Sequence, residues 1–290
     1  MRLRLGQAVL PLQQRTAVMG IVNRTPDSFY AGGRAWKWET ALRAAAAHLQ
    51  AGAALIDVGG VKAGPGPAVD AAEEHARVVP LVAAIRERLD APVSVETSRA
   101  DVAAAALEAG AAMINDVTGL SDPEIADAVA EHPGAALVVM HAGGQRRGRP
   151  FRPSYHPDTT TAVAAELERL AGVAAQRGVP AGQIVIDPGH DFGKNTYQSL
   201  ELTRRLPELA ALGHPLLVAL SRKDFLGETL GDDVAPTERL EASLAAAAVA
   251  THHGAHLLRV HDTAATVRVV RTVEAIAGRR PPAAAVRGLV

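Results

Sequence analysis

Along this chain, short runs of apolar and β-branched residues recur, each followed by a stretch whose apolar positions repeat at helical spacing. The runs lie at 17–22, 54–58, 93–95, 112–114, 136–140, 184–186, 216–220 and 257–260. The helical stretches that follow them lie at 38–51, 68–89, 99–108, 123–131, 160–177, 197–212, 236–253 and 263–277. The runs are apolar throughout rather than alternating, which marks parallel strands covered by helices on their outer side. Eight strand–helix units in about 260 residues predict an α/β fold, a single closed (β/α)8 TIM barrel. An open doubly wound sheet is the alternative. Its dinucleotide-binding form is disfavoured because Gly20 lies inside the first strand and no glycine fingerprint follows it. Residues 1–14 read as a hairpin capping the barrel bottom, 15–278 as the barrel, and 279–290, with Pro281-Pro282, as a loose tail.

Composition narrows the class. The 290 residues are 48% hydrophobic, enough for a large core, and only 3% aromatic, with 59 alanines suited to close helix–sheet packing. Thirty basic and 31 acidic residues leave a net charge of -1, which argues against a general nucleic-acid partner. The absence of cysteine excludes disulfides, thiolate metal sites and a thiol nucleophile. No apolar run reaches the about 20 residues of a membrane span, and the first dozen residues lack a secretion signal. A cytoplasmic protein with no membrane partner is expected.

The chemistry collects at the C-terminal ends of the strands, the face on which barrels of this kind build their sites. Asn23, Asp57, Glu96, Asn115-Asp116, His141, Asp187, Ser221-Arg222-Lys223 and Arg259 with His261-Asp262 all fall there. Asp187, Glu96 and Asn115 supply acceptors, and a carboxylate suits the guanidine-like edge of a heterocycle. Lys223 supplies a point charge for a ring atom or carbonyl. Arg259, His261 and Asn23 suit a phosphate and its magnesium. These residues describe a pocket for a polar heterocycle beside an anion. No Ser-His-Asp order and no HExxH spacing points to hydrolysis or zinc. The basic stretch Arg146, Arg147, Arg149 and Arg152 reads as a solvated insertion that could hold an anion over the pocket, and Trp36 and Trp38 as packing at a helix start.

Seven segments occur in a particular order: 23–29 (Asn-Arg-Thr-Pro-Asp-Ser-Phe), 57–60 (Asp-Val-Gly-Gly), 114–116 (Ile-Asn-Asp), 187–194 (Asp-Pro-Gly through Phe-Gly-Lys), 221–223 (Ser-Arg-Lys), 239–241 (Arg-Leu-Glu) and 259–262 (Arg-Val-His-Asp). As an ordered set they resemble the dihydropteroate synthase family, over residues 17 to 277. The resemblance implies a pterin-binding barrel that forms a homodimer. The implied reaction joins 6-hydroxymethyl-7,8-dihydropterin diphosphate to 4-aminobenzoate, releasing diphosphate, with Mg2+ as cofactor. It implies that Asp187, Lys223 and Asn115 form the catalytic group. Asp187 and Asn115 would bind the aminopyrimidine edge, with Glu96 in the place of the family's Asp, and Lys223 would contact polar ring atoms. Asn23, Arg259 and His261 would hold the diphosphate, Asn23 also lying near the metal. Ser221 would receive the aminobenzoate carboxylate, helped by the helix N-terminus that follows it.

The departures from the family pattern cluster in loops. Gly59-Gly60-Val61-Lys62-Ala63-Gly64-Pro65-Gly66 stands where the family reads Gly-Gly-Glu-Ser-Thr-Arg-Pro-Gly, leaving Lys62 as a partial replacement for a planar guanidinium. His190-Asp191 and Asp224 stand where an apolar residue with Gly, and a Ser, are usual, placing new charge beside the second-substrate wall. These loops resemble a divergent actinobacterial second paralogue of the family. That resemblance implies the alternative that pterin binding is kept while ordinary synthase activity is lost or directed to another amine. A pterin-binding methyltransferase shares the barrel but has no need of the Arg259/His261 anion site.

Overall fold

The structure, a computed structural model, describes residues 1–23, 34–61, 68–144, 154–231 and 234–287. Arg2–Leu5 (β1) and Ala8–Pro11 (β2) form an antiparallel hairpin. The apolar runs then become Ala17–Asn23 (β3), Leu55–Gly59 (β4), Val93–Glu96 (β5), Met113–Asp116 (β6), Ala136–Met140 (β7), Ile184–Asp187 (β8), Leu217–Val218 (β9) and Leu257–Val260 (β10). These eight strands pair in parallel in the spatial order β8-β7-β6-β5-β4-β3-β10-β9. A parallel bridge between Ile186 and Leu216, with the Ile186 amide donating to the Pro215 carbonyl at 2.9 Å, brings β8 against the start of β9 and closes the ring. The fold is the (β/α)8 TIM barrel.

Around it run Arg34–Gln50 (α1), Ala71–Leu89 (α2), Ala100–Glu108 (α3), Glu124–Ala130 (α4), Thr159–Gln176 (α5), Thr196–Arg204 (α6), Leu206–Ala210 (α7), Asp224–Leu230 (α8), Leu240–His252 (α9) and Thr263–Ile276 (α10). The period of two along each strand sorts side chains into two cores. Val18, Ile56, Val95, Ile114, Leu137, Ile186, Val218 and Leu258 point outward and pack with the helices. Met19, Leu55, Met113, Val138, Val185, Leu217 and Leu257 point inward and join Leu3, Leu5 and Leu12 in a second cluster. The hairpin is therefore a plug for the barrel bottom. Each fully buried leucine there contributes about 1.5–3 kcal/mol, which outweighs the local disorder of a chain end.

Three elements differ from the sequence expectation. The helix expected over 197–212 divides into α6 and α7, because Pro207 lacks an N–H and its ring clashes with the carbonyl four residues back. The strand expected over 216–220 shrinks to Leu217–Val218, since the chain turns at once: the Lys223 amide donates back to Leu220 O at 3.3 Å and Arg222 takes φ +60°. Helix α8 occupies a stretch that the periodicity left outside any helix, and Pro236–Glu238 forms a 3-10 turn, so the helix expected from 236 begins only at Leu240. Gly20 has a packing reason: a Cβ there would come within 2.6 Å of the His48 ring on α1. Trp38 packs at the start of α1 with the Arg88 guanidinium 5.0 Å above its ring.

Candidate active site

Strand parity brings most of the site together. Counting two residues up from the inward Leu55, Met113, Val185 and Leu257 gives Asp57, Asn115, Asp187 and Arg259 on the same inner face. The strand registers Asn23↔Gly59, Gly59↔Glu96 and Glu96↔Asn115 add an adjacent row. Gly59 opens this row: a Cβ there would meet Asn23 Oδ1 at 3.2 Å. The Asn23 side chain thus leans over β4 toward Glu96, at the exposed end of its strand.

On the floor, Arg259 reaches from β10 past β3 to β4 and β5. Its Nε donates to Asp57 Oδ2 at 2.6 Å and its Nη2 to Glu96 Oε2 at 2.5 Å. Burial works against the guanidinium charge, yet Glu96 and Asp57 together outweigh it and raise the Arg259 pKa. Burial raises the Glu96 pKa, and Arg259 opposes the rise. Asn115 Nδ2 also donates to Asp57 Oδ2, at 3.3 Å. This leaves Asp57 Oδ1, Asn115 Oδ1 and Ser94 Oγ buried without a partner among the described residues. Buried polar atoms are nearly always satisfied, so two open acceptors and a hydroxyl on one wall call for a ligand carrying N–H groups.

Asp187 completes the acceptor set at the end of β8. Its Oδ1 accepts the Gly189 amide at 2.7 Å, while burial raises its pKa against the pull of that amide and of Lys223. The turn beyond it is compressed. Gly189 sits at φ +64°, where a Cβ would lie 2.3 Å from the His141 carbonyl. Lys194, 1% exposed, locks this turn by donating to His141 O, Gly189 O and Phe192 O at 2.8–3.0 Å, with His141 Nδ1 at 2.9 Å. Lys194 and His141 therefore lie behind the pocket wall. Phe192, held by the same turn, places its ring 4.6 Å from the Lys223 ammonium, and burial lowers the Lys223 pKa while Asp191 and Asp187 oppose the fall.

The rim above β9 is a set of matched charges. Arg222 forks onto Asp262 at 2.8 and 3.0 Å. Arg239 donates to Asp224 Oδ1 at 2.6 Å and to the Arg222 carbonyl at 3.1 Å, lying across Gly227, where a Cβ would clash at 2.6 Å. Asp191 accepts from the Asp224 amide at 2.7 Å and the Phe225 amide at 3.4 Å, the first-turn amides of α8. This reshapes the expectation for His190-Asp191, because only one of the two brings charge. His190 is 1% exposed, stacks on Phe225, and burial with Lys194 and Lys223 holds it neutral. Ser221 Oγ accepts the His261 amide at 3.2 Å, with His261 Nδ1 also 3.2 Å away. Although His261 is exposed as a residue, loss of water around its ring and the cations Arg259 and Arg222 push its pKa down to about 4. Its ring is therefore neutral near pH 7.

The structure thus gathers Asp187, Asn115, Glu96, Lys223 and Arg259 on one inner face, and Asn23, Ser221 and His261 at its mouth. Lys62 and the stretch Arg146–Arg152 lie outside the described residues. Asp57, noted in the sequence only as a polar strand end, is the hub of the floor, and inward parity with Leu55 is the signal that finds it. Asp191 carries no local signal, since the amides it caps lie 33 and 34 residues away. No group of three or more His, Asp or Glu among the described residues could hold a metal ion. Asn23 fits an ion arriving with a diphosphate, since magnesium keeps several waters and takes few protein ligands.

A barrel whose C-terminal face presents buried acceptors for an N–H-bearing heterocycle beside cations belongs among small-molecule-binding barrel enzymes. A family profile described as "Pterin binding enzyme" matches residues 19–261. The chain belongs to this pterin-binding family, in its dihydropteroate synthase branch. It is 49% identical over 281 residues to a Mycobacterium leprae protein named "Inactive dihydropteroate synthase 2", covering 95% of each chain. It is 40% identical to the dihydropteroate synthase of Escherichia coli strain K12, covering 89% of this chain and 90% of that one. The Xanthomonas albilineans dihydropteroate synthase solved with 7,8-dihydropteroate superposes with a TM-score of 0.84 at 37% identity, over 96% of this chain and 99% of that one.

Proposed function

We propose that this chain binds 6-hydroxymethyl-7,8-dihydropterin diphosphate and transfers the pterin through its methylene carbon to an amine, as the dihydropteroate synthases it resembles do with 4-aminobenzoate. The observation that carries this is the inner face on which Asp57 Oδ1 and Asn115 Oδ1 lack partners among the described residues, with Asp187 two strands beyond Asn115. In this reading Asp187 and Asn115 hold the aminopyrimidine edge, and Lys223 holds a polar ring atom. Glu96 and Asp57 position Arg259, and Arg259, His261 and Asn23 receive the diphosphate. The carbon–oxygen bond to diphosphate breaks with its electron pair leaving on oxygen, the amine nitrogen bonds to carbon, and the amine proton passes to solvent. Mg2+, held through Asn23 and the diphosphate itself, would supply charge neutralisation for the leaving group. A cytoplasmic homodimer belongs to the same proposal. Among the described residues no helix is long and apolar enough to cross a membrane.

One observation favours a second reading, a pterin binder without transfer. Arg259, the cation best placed for the leaving group, is engaged by two internal carboxylates. Calorimetry with the pterin diphosphate, followed by a diphosphate-release assay with 4-aminobenzoate and Mg2+, separates the two. Turnover supports synthase activity, binding without turnover supports the second reading, and absence of binding overturns both.

A further inference from the structure

We propose that the acceptor side of this pocket selects against a carboxylate and takes a neutral or cationic amine, a conclusion that rests on the transferase reading above and names its second substrate class. The cations that β9 and the following segment bring to the rim are Arg222, Lys223 and Arg239. Arg222 is forked onto Asp262 and Arg239 is bound to Asp224. Lys223 is flanked by Asp191 and Asp187, of which Asp191 exerts the stronger attraction. Among the described residues, Arg222 and Arg239 are each paired with a carboxylate of the chain itself, and Lys223 feels the pull of two more.

Asp191 is the decisive group. It stands at φ +66°, a backbone region in which a side chain is strained and glycine is favoured, yet it carries a carboxylate. That carboxylate receives the Asp224 and Phe225 amides, and the Asp191 amide donates to Ser199 Oγ at 3.2 Å, so its position is fixed from both sides. The donors at the start of α8 are thereby filled from within. A second carboxylate brought to the start of α8 would face Asp191 and Asp224 with the Asp224 and Phe225 amides already taken. Like charges in partly buried surroundings repel strongly. An amide or an ammonium meets no such penalty, and an ammonium gains from the same two acids.

The test titrates the full-length protein with 4-aminobenzoate, 4-aminobenzamide and 4-aminobenzylamine, with and without the pterin diphosphate, and reads affinity by calorimetry. The amide and the benzylamine are expected to bind about tenfold or more tighter than the acid. Asp191→Asn is expected to narrow the acid-to-amide ratio by about tenfold, whereas Asp191→Glu, which keeps the charge, leaves it in place. Asp191→Gly relieves the backbone and serves if the Asn variant fails to fold. Equal affinity for acid and amide in the unaltered protein, a ratio unmoved by Asp191→Asn, or no binding of any of the three overturns the proposal. Lack of pterin binding sinks the transferase reading separately, because the acid-to-amide ratio is read in either state.

Discussion

The floor of the pocket and its rim solve opposite electrostatic problems. On the floor, Asp57, Ser94 and Asn115 keep buried polar atoms without partners among the described residues, and the cation that reaches Asp57, Arg259, comes from β10, two strands away. On the rim, Arg222, Lys223 and Arg239 face Asp262, Asp191 and Asp224. The floor is incomplete without a ligand; the rim is complete within the chain. Recognition on the floor therefore rests on supplied hydrogen bonds, and on the rim on what the matched charges reject.

The sharpest way to break this contrast is Arg259→Ala. It leaves Asp57 and Glu96 buried without their cation, and removal of one partner from such a pair costs about 3–5 kcal/mol. Chemical denaturation measures it, and a loss below about 1 kcal/mol would mean that the floor does not depend on the ion pair. Asp187→Ala comes next. Loss of a charged acceptor on the heterocycle edge is expected to weaken pterin binding by about a hundredfold or more, and unchanged affinity by calorimetry would move the pocket elsewhere. Glu96→Asp draws the carboxylate back by roughly 1 Å from Arg259, enough to matter in a tight site. The freed guanidinium should strengthen pterin diphosphate binding by about three- to tenfold, with an unmoved constant counting against the view that Glu96 restrains it.

The smallest effect concerns His190, which lies between rim and wall. Thr203 Oγ1 donates to the Ser199 carbonyl, so His190 Nε2 donates to Thr203 and the ring is neutral, with Lys194 and Lys223 as its nearby cations. Its folded pKa lies well below its unfolded value of about 6.5. The unfolded chain therefore binds the extra proton first, and stability falls as pH drops below about 6.5, by at most about 1.4 kcal/mol per pH unit from this group. His190→Phe should flatten the melting-temperature slope between about pH 6.5 and 5; an unchanged slope would show that other groups set it.

Most of the architecture was legible in the sequence, and so were the strand-end residues of the site. Glu96, Asn115, Asp187 and Arg259 could be placed on one inner face because side chains alternate along a strand, so a residue's parity with an apolar neighbour is local information. The division between α6 and α7 was also encoded locally, in Pro207, although periodicity alone ran through it. Helix α8 was not legible in the same way, because the carboxylate that caps it comes from Asp191, on the loop after β8.

By itself, then, the sequence determined eight alternating strands and helices, the face on which the polar strand ends meet, and the hairpin's apolar residues. These follow from short-range periodicity and from burial of apolar surface, which any local segment expresses. Only the tertiary structure decided the partners: Arg259 with Asp57, 202 residues apart, and with Glu96, 163 apart, and the Asp191 carboxylate on the α8 amides. Coulombic and hydrogen-bond energies depend on distance in space, and closure of the barrel sets those distances by bringing its first and last strands, β3 and β10, side by side.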